Sequence, residues 1–428
     1  MKNSYPIWYC LVAVLALTPA GVRALTWSKS RSQEVDTTMA QAGQKLFMHD
    51  WTVRDPLAGG GDGLGPVFNA SSCVACHHQG AAGGGGGLNH NVTVFTVRAE
   101  KPGEKPRQGV VHAFATNCQE TLAQVDPLLP NIARPTLEQV VALAGREKQC
   151  LPFPRGVNIS QRNTPALFGA KLIDELPESE IVAEERKQRL KAGLASAEVE
   201  NQPVGRALRL ADGRVGRFGW KAQTASLSDF VQAACANELG LGNPGQAQPR
   251  PLSKPNYQSP GLDLTAEQCA QLTAFVASLP RPVERLPRTA AAAEEARQGK
   301  QLFHTIGCAD CHTPNLGSVE GIYSDLLSHR MGSVLVGGGA YNEPPPEIPD
   351  FKPGDAPRAD EWRTPPLWGV ADSAPYMHDG RAATLAEAIL LHGGCSAGQG
   401  VPAAQRYAKL SPREQTQLVA FLKTLRAP

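Results

Sequence analysis

Two short segments carry the most explicit chemistry in the chain, Cys73-Val74-Ala75-Cys76-His77 and Cys308-Ala309-Asp310-Cys311-His312. In each, two thiols three positions apart are followed at once by an imidazole. That spacing lets both sulfurs reach the two vinyl groups of one porphyrin while the histidine meets the iron from one face. A lone CxxC can also bind zinc or exchange disulfides. Zinc would need a second ligand pair at finger spacing, and disulfide exchange a βαβ setting; neither accompanies these motifs. The expected cofactors are therefore two covalently bound haem c groups, one on Cys73 and Cys76 with His77 as proximal ligand, the other on Cys308 and Cys311 with His312.

The segments that must position these motifs recur in the same order. Gly43-Gln44-Lys45-Leu46-Phe47 before the first motif matches Gly299-Lys300-Gln301-Leu302-Phe303 before the second. After the motifs, Asn163-Thr164-Pro165-Ala166-Leu167-Phe168-Gly169 matches Arg363-Thr364-Pro365-Pro366-Leu367-Trp368-Gly369, and Trp220 to Leu227 lines up with His378 to Leu385. Leu264 to Leu279 and Leu410 to Leu425 then share apolar residues at helical spacing, one closing amphipathic helix per half. The fold class expected is all-α: two cytochrome c-like haem domains from an internal duplication, covering 36–283 and 288–428. The first is enlarged by loop insertions between Phe47 and Cys73 and from Phe95 to Asn163, with a charged segment from Pro177 to Asn201. Prolines 280, 282 and 287 interrupt the helical pattern and mark the boundary.

At 428 residues the chain exceeds what one core usually supports. Its hydrophobic content of 42%, charged content of 19% and net charge of +2 point to neither nucleic acid nor a membrane surface. Residues 1–24 read as a signal peptide: Lys2, an apolar stretch from Ile7 to Leu17, then Val22-Arg23-Ala24. No later run is long and apolar enough to span a bilayer, so a periplasmic or otherwise extracytoplasmic product is expected. Cys10 would leave with the signal. In an oxidising compartment, Cys118 with Cys150 and Cys235 with Cys269 are sensible disulfide pairs, with Cys395 left over.

Trp362-Arg363-Thr364-Pro365-Pro366-Leu367-Trp368-Gly369 and Ala374-Pro375-Tyr376-Met377-His378-Asp379-Gly380-Arg381 resemble the bacterial di-haem cytochrome c peroxidase superfamily. Leu167 to Asp174, Arg217 to Ala222 and Tyr323 to Leu327 resemble its di-haem oxidoreductase (thiol oxidoreductase) branch. The resemblance implies haems communicating across a domain interface, and a sixth ligand for the C-terminal haem fourteen residues after His378. That position is His392 where the peroxidases carry methionine; Met377 and Met331 are alternatives. The duplicated position in the first half is Ala234, so the His77 haem must find its distal ligand elsewhere or keep that side open. His90, on a glycine-rich loop, is the leading candidate, ahead of His78 and His112. The resemblance also marks Asp229 as an acid/base candidate, Trp220 as an inter-haem relay or a porphyrin-packing residue, and His329 as a propionate contact or helix cap. Arg363 and Arg381 are expected to pair with propionates, and Pro165 and Pro365 to present carbonyls to the proximal imidazoles.

The activity implied is an oxidoreductase of peroxidase type. Electrons from a small soluble cytochrome c or cupredoxin would enter at the His312 haem and reduce hydrogen peroxide or a related oxidant at the His77 haem. A non-catalytic electron carrier and an oxidase of a protein or thiol substrate are the alternatives.

Overall fold

The computed structural model describes residues 36–97, 107–116, 157–194, 203–251, 254, 256–337, 354–394 and 398–428. The signal segment, Cys118, Cys150 and Cys395 lie outside them. Val35 to Pro428 forms one compact unit. Its helices are α1 (Thr37–Met48), the motif turn α2 (Cys73–Cys76), α3 (Ala170–Asp174), α4 (Glu178–Leu194), α5 (Leu227–Leu239) and α6 (Ala266–Ser278) in the first half. In the second half they are α7 (Ala290–Thr305), α8 (Leu385–Leu391), α9 (Val401–Lys409) and α10 (Pro412–Leu422). Among the described residues no helix is long and apolar enough to cross a membrane.

Two helix pairs frame the two motifs. α1 starts at Asp36, whose carboxylate accepts from the amides of Thr38 and Met39 at 2.9 and 3.2 Å, and it buries Ala40, Gly43, Leu46 and Phe47 on one stripe. It packs on α6, which opens with the capping box of Thr265 and Gln268 and buries Cys269, Leu272, Phe275 and Val276. In the second half α7 buries Ala293, Ala296, Gly299 and Phe303 against α10, which opens with Ser411, Pro412 and Glu414 and buries Leu418, Phe421 and Leu422. The glycines permit the crossings: a Cβ on Gly43 would lie 1.8 Å from the Gln271 carbonyl oxygen, and one on Gly299 would lie 1.8 Å from that of Gln417.

The all-α expectation needs correction. β1 (Val92–Val97) pairs antiparallel with β2 (Arg107–Val111) on one side and β3 (Val157–Arg162) on the other. Val92, Val94 and Val110 form one buried apolar face and Phe95 and Val111 are buried on the other, so this part of the expected loop insertion folds as a sheet. A smaller ribbon pairs β4 (Ser328–Arg330) with β5 (Glu361–Arg363), and Val283–Glu284 pairs with Leu425–Arg426. The charged segment after Pro177 is α4, a helix of 17 residues.

Candidate haem sites

The second motif leaves α7 through Gly307, whose positive φ of 91° starts a 3-10 turn over Cys308–Asp310. The turn places His312 with its amide on the Cys308 carbonyl at 3.0 Å, and its ring Nδ1 bonds the Tyr323 carbonyl at 3.0 Å. His392 caps the C-terminus of α8 and its Nδ1 bonds the Ala388 carbonyl at 2.7 Å. A ring nitrogen facing a carbonyl must carry the proton, so in both histidines Nε2 is the lone-pair nitrogen. Both residues line one cavity together with Cys308 and Cys311. Burial pushes His312 down to about 4, with His392 adding to the shift, and burial also lowers His392. Neutral imidazoles with free Nε2 atoms suit a metal ligand pair.

The first motif is built to the same local plan. His77 bonds back to the Cys73 carbonyl at 3.0 Å through its amide, and its Nδ1 lies 3.1 Å from the Gly84 carbonyl. Burial lowers it to about 4. At His77 the carbonyl belongs to Gly84 and not to Pro165, and at His312 to Tyr323 and not to Pro365. The first motif's residues do not line the cavity described above; Cys73 to Cys76 pack against the large core of the first half.

The walls of that cavity come from equivalent positions of the two halves. Leu167 and Leu367, Phe168 and Trp368, Phe218 and Tyr376, Trp220 and His378, and Phe230 and Ala388 all contribute. The difference lies on the helix that carries His392. Its first-half equivalent, α5, has Ala234 at the matching position, and Phe230 stacks on Phe218 at 5.6 Å. His90 lies elsewhere. Its Nδ1 is 3.7 Å from Cys76 Sγ, its ring packs edge-on against His78 at 5.7 Å, and it is half-buried. The same contact occurs in the second half, where His329 Nδ1 is 3.6 Å from Cys311 Sγ. His90 therefore resembles His329 in placement, beside the second thiol of its motif. His78 is exposed, and buried His112 is tied to the Asn237 carbonyl at 2.8 Å.

Several expected roles are corrected by these contacts. Asp229 sits in the first turn of α5, where a carboxylate is favoured by the helix dipole, and it pairs with Arg214 at 3.1 Å with 45% of its side chain exposed. It faces solvent and does not line the cavity. Arg381 is committed to Asp379 through bonds of 2.5 to 3.0 Å, so it is not a free propionate partner. His329 caps no helix: its Nε2 meets fully buried Asp325 at 2.7 Å, and its Nδ1 also meets Gln399 Oε1 at 2.7 Å. Cys311, Asp325 and His329 cluster closely, yet the two imidazole nitrogens serve different partners, the geometry of a hydrogen-bonded chain and not of a metal clamp. Cys235 and Cys269 are buried free thiols on neighbouring helices, not a disulfide.

Other expectations coincide with cavity positions. Trp220 lines the cavity and its Nε1 donates to the Asn163 carbonyl at 2.9 Å. Arg363 is a buried lining residue that donates to the carbonyls of Gly219 and Thr364 at 2.8 and 3.1 Å; burial pushes it down to about 10. Met331 and Met377 also line the cavity. Sequence reasoning missed Arg217, the Asp325–His329 pair, and the stack of Trp362 on His378 at 3.7 Å beneath the Lys221 ammonium. Polar residues inside otherwise apolar runs were the available signal.

Residues 148–425, roughly two thirds of the chain and including the second motif, match the family described as "Di-haem oxidoreductase, putative peroxidase". The hydrazine synthase gamma subunit of Kuenenia stuttgartiensis is 26% identical over 157 residues, 31% of this chain and 41% of that relative, so the chain spans about two fifths of its length. Among solved structures, the diheme peroxidase BthA of Burkholderia thailandensis E264 is 16% identical, covering 91% of this chain and 86% of its own, with a TM-score of 0.41. A MauG-like protein associated with microbial copper homeostasis is 20% identical over 59% of this chain and 90% of its own, with a TM-score of 0.27. The family match spans most of the chain, runs through the cavity and takes in Cys308, Cys311, His312 and His392: the chain belongs to the di-haem oxidoreductase family.

Proposed function

We propose that this di-haem oxidoreductase is an exported c-type cytochrome of peroxidase type, built by internal duplication and freed of residues 1–24 on export. Bound covalently at Cys73 with Cys76 and at Cys308 with Cys311, the haems would supply one-electron chemistry, passing two electrons from a small cytochrome c or cupredoxin to hydrogen peroxide, which takes up two protons to give two waters. The chain's own residues divide the labour. His312 and His392 present two neutral Nε2 atoms to one cavity and would hold the iron of the C-terminal haem, which suits electron entry. His77 would supply one nitrogen to the other haem iron, and the position matching His392 is Ala234, which suits a site open to an oxidant. Trp220, held by Asn163, lines the cavity of the C-terminal site. The single observation that carries the reading is this asymmetry between His392 and Ala234.

His90, placed beside Cys76, would serve as a releasable distal ligand only if its loop moved. The solvent-facing Asp229 favours one alternative, an electron-transfer cytochrome without turnover, since it removes the expected acid/base group from the site. Electron paramagnetic resonance of oxidised and half-reduced protein, with and without peroxide, separates the two. Conversion of one haem from low-spin to high-spin on partial reduction, with rapid peroxide turnover, is expected. Two permanently six-coordinate haems that ignore peroxide would overturn the peroxidase reading.

A further inference from the structure

Arg217 is 4% exposed and lines the cavity beside Ile173 and Phe218. One edge of its guanidinium closes the carbonyl end of α3: Nη1 donates to the carbonyls of Ile173 and Asp174 at 3.1 and 3.2 Å, and to that of Leu176. The other edge is not satisfied. Nε is buried and has no acceptor among the described residues, and the nearest carboxylate, Glu178, is 3.8 Å from Nη2 and 39% exposed. A buried charged donor without an acceptor is costly, and folded proteins rarely leave one.

A second buried guanidinium stands close by. Arg363 donates to the carbonyl of Gly219, two residues from Arg217, and also has no carboxylate within hydrogen-bond distance among the described residues. Asp325 acts on Arg363, and Glu178 and Asp174 act on Arg217, only through space, so the Nε of Arg217 still lacks a hydrogen-bonding anion. The planar guanidinium edge matches a carboxylate in particular.

We propose that Arg217 is a carboxylate-binding site of the cavity, its Nε–H donating to an anionic oxygen. The carboxylate is either a haem propionate or a small diffusible carboxylate entering the same cavity. The inference rests on the di-haem reading. If Arg217 served only to close α3, its replacement would alter stability and leave redox behaviour alone.

The test uses the full haem-loaded chain, with Arg217→Gln and Arg217→Lys. Haems per chain are counted by mass, and both midpoint potentials are followed with and without acetate. If the partner is a propionate, losing the cation leaves its charge uncompensated and favours ferric iron. Arg217→Gln then lowers one potential by the equivalent of roughly tenfold in the reduction equilibrium, about 59 mV, and Arg217→Lys lowers it less. If the partner is diffusible, acetate shifts a wild-type potential and Arg217→Gln abolishes that dependence. Unchanged potentials with no acetate effect overturn the proposal. Should Arg217→Gln fail to fold, Arg217→Met, which also removes the charge, takes its place with the same outcomes. A wild-type chain carrying fewer than two haems refutes the di-haem reading instead.

Discussion

An imidazole becomes an iron ligand when one nitrogen is held and the other is left free, and His392 meets both conditions at the end of α8. Its place was legible from counting fourteen residues on from His378, where the resembling peroxidases carry a methionine, because the helix start at Thr384 and the register of α8 are fixed by local sequence. The side of the fold on which Asp229 falls was not legible in that way. Its position in the chain was right for a catalytic acid, but its placement in the first helical turn opposite Arg214 depends on tertiary packing. Arg217 was unreadable for a similar reason, since nothing in the sequence says which guanidinium edge finds acceptors. In the haem-loaded protein His392→Ala is expected to retain both haems, because the substitution leaves both CxxCH motifs intact. One haem equivalent of low-spin signal should convert to high-spin, and added imidazole should restore it. An unchanged paramagnetic spectrum would assign the ligand elsewhere, with Met331 and Met377 as the cavity-lining candidates.

Helices were easier to read than strands, and the reason is the length of the signal. α1, α6, α7 and α10 each carry three or four buried positions at helical spacing together with a capping residue, so pattern and boundary agree. The strand β1 alternates only briefly, while β2 and β3 are largely polar and β3 joins from far along the chain. Their pairing is set by contacts that no local window contains. The paired glycines show how far the helical reading extends. Gly43 and Gly299 occupy matching places in the sequence repeat, and each lets a closing helix approach to backbone contact. Gly43→Ala and Gly299→Ala should each force two helix backbones apart and cost about 3 kcal/mol, at the upper end of typical overpacking. Denaturation midpoints measure this, and a loss below about 0.5 kcal/mol would mean that the helices slide past one another at little cost.

At the scale of the whole molecule, Asn163 joins the two halves. Its amide donates to the His378 carbonyl at 2.7 Å, its carbonyl accepts from Trp220, and its side chain donates to Gly86 and Asn91 at 3.0 Å each. The His378 ring lies buried in this seam, stacked on Trp362, while Lys221 covers Trp362 at 3.6 Å and donates to the carbonyls of Arg358, Ala359 and Glu361. Burial pushes His378 down to about 3; Asp379 opposes the shift, and Arg162, Arg381 and Lys221 reinforce it. The folded protein therefore keeps this ring neutral at a pH where the unfolded chain, with an ordinary value near 6.5, takes up a proton. Stability from this group is complete above that value and declines as pH falls toward 3. Between pH 7 and pH 5 the loss should be about 2 kcal/mol. His378→Gln cannot take up the proton in either state, so in urea denaturation its midpoint should fall less between those two pH values than that of the wild type. Equal slopes in the two proteins would mean that the seam admits the charged ring, and that the two halves are joined less tightly around Asn163 than these contacts imply.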